Sequence, residues 1–261
     1  MSLSPTEPLK PAVYIIGTGP GDPELLTVKA HKILTRVDVV LYADSLVPQQ
    51  ILQDVRPDAE RIPTGNKTLE EIIPLTLERV RQNKSVARLH SGDLSLYSAV
   101  REQIQIFVEE EIPFELIPGI SAYQDAAAKL GVELTVPELV QTIILTRTNG
   151  RASKVPEAEE LASLAAHKAS LCLYLSARHA VEAQERLLQH YPPETLVGVC
   201  YRLGWSDEQI WVVPLEQMAA ITQEKELIRT TLYVISPGLG ALGDARSRLY
   251  HPDHSHLFRP R

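Results

Sequence analysis

Short β-branched runs alternate with amphipathic stretches along most of the chain. Residues 13–16 form an apolar run that reads as a strand, and a Gly/Pro loop follows it. Residues 23–34 carry helical spacing in Leu25, Leu26, Val28, Ile33 and Leu34, and residues 37–42 make a second strand. Residues 69–82 read as a helix that Pro74 interrupts or delays. A strand at 86–90 ends in S-G-D, and a helix at 99–111 follows. A strand at 114–117 then ends in P-G-I-S-A, ahead of an Ala-rich helix at 121–130. Strands separated by helices, with Gly-bearing turns after the strands, predict βαβ units and a largely parallel sheet.

A second block follows the proline-bounded stretch 133–139. Strands are expected at 142–146, 170–175, 197–201, 209–214 and 230–235, and helices at 157–167, 179–190 and 214–224. Some connections are short, so a mixed sheet is expected here. The fold class is therefore α/β, with two α/β domains, the first mainly parallel and the second mixed. The expected layout is a flexible lead-in at 1–11, an N-terminal domain at 12–132, a C-terminal domain at 133–243 and a tail at 244–261, with the hinge near 133–141.

Composition narrows the options. The chain has 261 residues, enough for two such domains, and its hydrophobic share of 44% excludes a mostly disordered chain. A net charge of −7 opposes a phosphate backbone, so nucleic acid is not expected as a partner. No apolar stretch approaches 20 residues and the first dozen carry no signal-peptide pattern, so no membrane association is expected and the location is read as cytoplasmic. Cys172 and Cys200 sit in apolar runs without zinc-ligand spacing, which reads as two reduced core thiols. The tail H-P-D-H-S-H could in principle bind metal, but irregular spacing favours a solvated or docking tail, and no metal is expected.

Three loops carry the candidate chemistry. The first, G-T-G-P-G-D-P, runs from Gly17 to Pro23. It is not the dinucleotide pattern G-x-G-x-x-G: the third Gly comes one residue early, Pro20 and Pro23 remove N–H donors, and Asp22 repels phosphate. The second, from His90 to Tyr97, holds Asp93 at a strand end, where it either meets a ribose or a cationic ligand or caps the next helix. The third, Ile117 to Ala122, offers small residues that let a ring or a backbone approach. Together the three describe a groove for an uncharged or cationic nucleoside.

At these residues the sequence resembles the tetrapyrrole (corrin/porphyrin) methylase family, over about residues 13–242. G-x-G-P-G-D-P, S-G-D and P-G-I-S-A look like that family's S-adenosylmethionine loops. L-Y-A-D-S-L-V (41–47), Q-T-I-I-L-T-R-T-N-G-R (141–151), L-Y-L-S-A (173–177) and the C-terminal stretch resemble the subgroup that methylates C11 of precorrin-4-type intermediates. The resemblance implies a homodimer whose active site lies in the cleft between the two domains of each subunit, with S-adenosylmethionine as methyl donor and a tetrapyrrole as substrate. It places donor contacts at Pro20, Ser91, Gly92, Asp93, Leu96, Ser121 and Ala122, and has the second domain add Leu175, Leu203, Thr231 and Leu232. Leu94 stands where many relatives carry Pro.

Methyl transfer from a sulfonium needs alignment more than a strong base. Where an acid or base serves tautomer changes of the ring, Asp44 is the candidate with Tyr42 beside it, although Asp44 could simply cap a turn. Tyr97 is either ring-facing or core. The substrate's acid arms call for local cations, for which Lys67, Arg88, Arg101, Arg147, Arg151 and Arg178 are placed near strand ends or helix starts. Arg147 and Arg151 are preferred, in T-R-T-N-G-R. Open alternatives are a methylase of the same superfamily with another target, a nicotinamide-dependent oxidoreductase, and a nucleoside-binding protein without turnover.

Overall fold

The computed structural model describes residues 8–149 and 154–240. Two five-stranded sheets organise them. The first contains β1 (Val13–Gly17), β2 (Val39–Tyr42), β3 (Glu60–Pro63), β4 (Val86–His90) and β5 (Phe114–Ile117). Its order is β3-β2-β4-β1-β5 and every pairing is parallel. Four helices belong to this half of the chain: α1 (Val28–Leu34), α2 (Leu69–Arg81), α3 (Val100–Glu109) and α4 (Ala122–Leu130). Side chains alternate across the sheet, as the period of two requires. Tyr14, Ile16, Val40 and Leu89 pack with Ile33 and Leu34 on one face. Val13, Ile15, Leu41 and Val86 pack with Ile73, Leu77 and Phe107 on the other.

The second sheet holds β6 (Ile143–Arg147), β7 (Ser170–Tyr174), β8 (Leu196–Tyr201), β9 (Gln209–Pro214) and β10 (Thr231–Ile235). Its order is β6-β7-β10-β8-β9, with β6 and β7 parallel and the remaining pairs antiparallel. Helices α5 (Leu161–Ala165), α6 (Ala180–Leu187) and α7 (Met218–Glu224) cover a core built on Leu171, Leu187, Val199, Met218 and Tyr233. The expected fold class, a parallel sheet followed by a mixed one, is what the chain forms. Among the described residues, one compact unit runs to Asp125 and also takes Arg202–Glu208. The other holds Ala126–Tyr201 and the chain from Gln209 onward.

Local chemistry explains where elements differ from the sequence reading. Residues 23–34 are not one helix. Asp22 accepts a hydrogen bond from the Glu24 N–H and starts a single 3-10 turn, Pro23–Leu25; the chain then extends at Leu26, and the Thr27 hydroxyl accepts from Ala30 N–H at 3.2 Å to start α1. Pro74 neither breaks nor delays α2. Thr68 and Glu71 form a capping box at its start, and Pro74 lies on its exposed side while Ile72, Ile73, Leu77 and Val80 hold the buried face. The helices expected at 157–167, 179–190 and 214–224 each begin with a 3-10 turn and are shorter than their apolar pattern. Strand β3 has no counterpart among the expected elements. Its sequence E-R-I-P offers a single strong apolar residue, and it lies at the sheet edge, where Pro63 is tolerated.

Candidate active site

Strands β1 and β4 are neighbours in register, so the loops leaving their carboxyl ends run side by side. The Thr18 N–H and hydroxyl both donate to the His90 carbonyl, at 2.8 and 2.9 Å. Gly19 and Gly92 then exchange backbone hydrogen bonds, Gly19 N–H to Gly92 O at 3.1 Å and Gly92 N–H to Gly19 O at 2.7 Å. Both adopt left-handed φ, 75° and 71°, which only glycine takes without strain. A Cβ on Gly17 would lie 2.8 Å from both Gly119 N and Gly92 O. The first and second loops and the start of the third therefore touch backbone to backbone, and no side chain fits between them.

Asp93 ties this arrangement together. Its Oδ1 accepts from the Ser95 N–H at 2.9 Å and from the Ser95 hydroxyl, and its Oδ2 accepts from the Gly119 N–H at 2.9 Å. Partial burial works against its charge. The hydrogen bonds from Ser95, Gly119 and Leu94 outweigh that and hold its carboxyl below the ordinary carboxylate range. It does not cap the following helix: α3 starts at Val100 behind Ala99, seven and six residues further on in the chain. Pro20 is buried beside Gly19; Ser91, Gly92 and Leu96 are half-buried; Ser121 is buried with its N–H on Gln124 Oε1 at 2.9 Å, and Ala122 opens α4.

The far end of the first loop has a second partner. Gln50 Nε2 donates to Gly21 O at 2.8 Å and to Gly204 O at 2.5 Å. A Cβ on Gly21 would lie 2.7 Å from Trp205 Cδ1 and 2.9 Å from Leu203 O. Leu203, expected in the second domain, is instead buried in the same compact unit as the glycine loops, because residues 202–208 return to that unit, and Arg202 stacks 3.9 Å above the Trp205 ring. Neither Gln50 nor Trp205 carries a sequence signal, because each acts through a contact more than 25 residues away in the chain.

At the other strand ends of this unit, Tyr42 closes β2, half-buried, and Asp44 is exposed with Oδ1 accepting the Gly65 N–H at 2.9 Å. Arg88 and His90 alternate on β4 and are buried. Arg88 Nη1 donates to Thr64 Oγ1 at 2.9 Å. Burial lowers the Arg88 guanidinium to about 10, still charged at neutral pH. Burial and the Arg88 charge push His90 down to about 3, so its imidazole is neutral. Lys67 is half-buried, Arg101 is exposed, and Tyr97 is exposed with φ 52°.

In the second unit, Leu175 follows β7 as an exposed apolar side chain on a left-handed backbone, φ 53°. A leucine on this backbone carries strain. Thr231 and Leu232 begin β10, buried and paired with Tyr201 and Cys200. Arg147 ends β6 half-buried and Arg178 is exposed; Arg151 and the His-bearing tail lie outside the described residues. Cys172 and Cys200 are free and buried, and burial raises the Cys172 thiol to about 12.

Comparison with known proteins places the chain in a family. The family described as Tetrapyrrole (Corrin/Porphyrin) Methylases matches residues 12–219. The chain belongs to that family. This methylase is 42% identical over 248 residues to a precorrin-4 C(11)-methyltransferase of Pseudomonas aeruginosa, covering 95% of this chain and 98% of the relative. It is 39% identical to a cobalt-precorrin-4 C(11)-methyltransferase of Methanocaldococcus jannaschii, covering 95% of each. Among solved structures, the methylase matches the X-ray structure of a cobalt precorrin-4 methyltransferase with a TM-score of 0.84 and 38% identity, over 88% of this chain and 96% of that one. It also matches a Thermus thermophilus uroporphyrin-III C-methyl transferase complexed with S-adenosyl homocysteine, with a TM-score of 0.72 and 25% identity, over 88% of this chain and 99% of that one. The family resemblance drawn from the three loops is thereby borne out.

Proposed function

We propose that this methylase transfers the methyl group of S-adenosylmethionine to C11 of precorrin-4, or of its cobalt form, during corrin synthesis. The observation that carries the reading is the backbone-to-backbone junction of three glycine loops around the ionised Asp93. The donor's chemistry fits it. The loops 17–23, 91–97 and 117–122 contain no Lys or Arg but carry Asp22 and Asp93, which suits a sulfonium and disfavours a phosphate. The bound donor supplies an electrophilic methyl and a neutral thioether leaving group.

The chain's own residues hold and align. Asp93 fixes the second loop to the third, and Pro20, Ser91, Gly92, Leu96, Ser121, Ala122 and Leu203 are proposed as donor contacts. Leu175, Thr231 and Leu232 are proposed donor contacts of the second unit. A reduced tetrapyrrole is an enamine-like nucleophile, so alignment supplies most of the rate. Asp44, beside Tyr42, is proposed to move the proton that tautomer changes require. Arg147 and Arg151 are proposed to meet acid arms of the substrate. The working form is a homodimer in the cytoplasm, acting on a small molecule without nucleic-acid or membrane partners; the net charge of −7 supports the former absence, and the two free buried cysteines suit a reducing compartment.

Anaerobic incubation of precorrin-4, and separately of cobalt-precorrin-4, with donor bearing a labelled methyl tests the reading by mass spectrometry. Gain of one labelled methyl by either tetrapyrrole is expected. No gain from a protein whose melting temperature S-adenosylhomocysteine still raises would keep the donor site and refute the reaction.

A further inference from the structure

Among the described residues, the buried Arg88 guanidinium has no carboxylate partner. It crosses from central strand β4 over β2 to Thr64, the residue after β3, where Nη1 donates to Thr64 Oγ1 at 2.9 Å. Among the described residues that is its one hydrogen bond: its Nε is buried without a hydrogen-bond partner, and burial is what lowers its pKa. His90 stands two residues on, facing the same side, with Nε2 also buried and unpartnered while the ring's other bond goes to the Ser98 backbone. Arg88 is 7% exposed and Thr64 3%. Gly65 and Asn66, next along the chain, are exposed, so the group lies close to solvent at the carboxyl end of the sheet. This is where open parallel sheets bind ligands.

A buried cation without a counter-ion is costly, and packing alone does not require it, since an apolar side chain of similar volume would fill the same space. Guanidinium and hydroxyl together are a donor set for a planar anion: Arg can pair both oxygens of a carboxylate, and the Thr64 hydroxyl, which accepts from Arg88, can donate its own proton, while the neutral His90 spends its one N–H on the Ser98 backbone and only lines the site. We propose that Arg88 and Thr64, with the uncharged His90 beside them, form a receptor for one carboxylate of a bound reactant. This rests on the methylase reading, in which both reactants carry carboxylates: the acid arms of the tetrapyrrole and the amino-acid end of the donor. The bound reactant supplies the counter-ion that Arg88 otherwise lacks.

The test is Arg88→Met, with Arg88→Lys and Thr64→Val beside it, each compared with wild type in three readings. These are the melting temperature without ligand, the dissociation constant of S-adenosylhomocysteine by calorimetry, and that of cobalt-precorrin-4 by quenching of Trp fluorescence without donor. The Met variant should melt at or above the wild-type temperature, because it removes an unpaired buried charge. One of its two dissociation constants should rise about tenfold, the size of one lost charge-assisted pair. A rise for cobalt-precorrin-4 assigns the carboxylate to the tetrapyrrole, and a rise for S-adenosylhomocysteine assigns it to the donor. Arg88→Lys should fall between Met and wild type, and Thr64→Val should shift the same constant about threefold; these two carry the test if the Met variant does not fold. Constants within twofold of wild type for both ligands would overturn the receptor, as would a lower melting temperature with both constants unchanged. Because the readings are of binding, a wild-type protein that binds both ligands without transferring methyl would sink the reaction while leaving the receptor standing.

Discussion

Asp93 and His90 are three residues apart and answer different questions. Asp93 was legible as a strand-end acid, but its role is to join two loops through Ser95 and Gly119 rather than to cap a helix. Asp93→Asn replaces an acceptor with an NH2 facing N–H donors, and should lower stability by about 2 kcal/mol and weaken S-adenosylhomocysteine at least tenfold; chemical denaturation and calorimetry read the two. His90 makes a prediction in pH. Its imidazole falls from near 6.5 to about 3 in the fold, so the unfolded chain takes up its proton first as pH drops. The stability it leaves intact above pH 6.5 is therefore lost progressively toward pH 3, by up to about 1.4 kcal/mol per pH unit. His90→Gln should flatten the fall between pH 6 and 4.5, above the range where carboxylates contribute most; an unchanged slope there would show that the imidazole is not held neutral. Neither the burial of His90 nor its neighbour Arg88 could be read from V-A-R-L-H, because a strand with polar residues at alternate positions ordinarily exposes that face.

Elements explain why three weak motifs make one site. Each glycine loop alone was compatible with a tight turn, and the register of β1 against β4 and β5 brings all three to one edge. Gly119 shows how tightly: a Cβ there would lie 2.6 Å from the Gly17 carbonyl carbon and oxygen. Gly119→Ala should thus destabilise by about 1–3 kcal/mol, read by denaturant midpoint, because the backbone of Gly17 and Gly92 cannot move aside. Gln50→Leu should be milder for stability, about 1 kcal/mol, yet weaken S-adenosylhomocysteine about threefold or more, since the side chain bridges Gly21 and Gly204. The strong βαβ period made most strands legible, with boundaries within a few residues. What escaped was β3, whose E-R-I-P pattern lacks the apolar run of a central strand, and the 3-10 starts of the later helices, which share apolar spacing with the α-helical turns that follow.

At the scale of the whole chain, the order of a parallel sheet and then a mixed sheet was readable, because crossover lengths dictate strand direction. The return of residues 202–208 to the first unit was not, since no local pattern announces a long-range contact. Family membership gives the donor chemistry its setting, and the carbon that receives the methyl is the sharpest claim made for this molecule. It is tested by NMR of the tetrapyrrole product formed anaerobically with a 13C-labelled methyl donor. A single enriched methyl coupled to C11 is the predicted result. The label on any other ring carbon, from a protein that turns over, would contradict it.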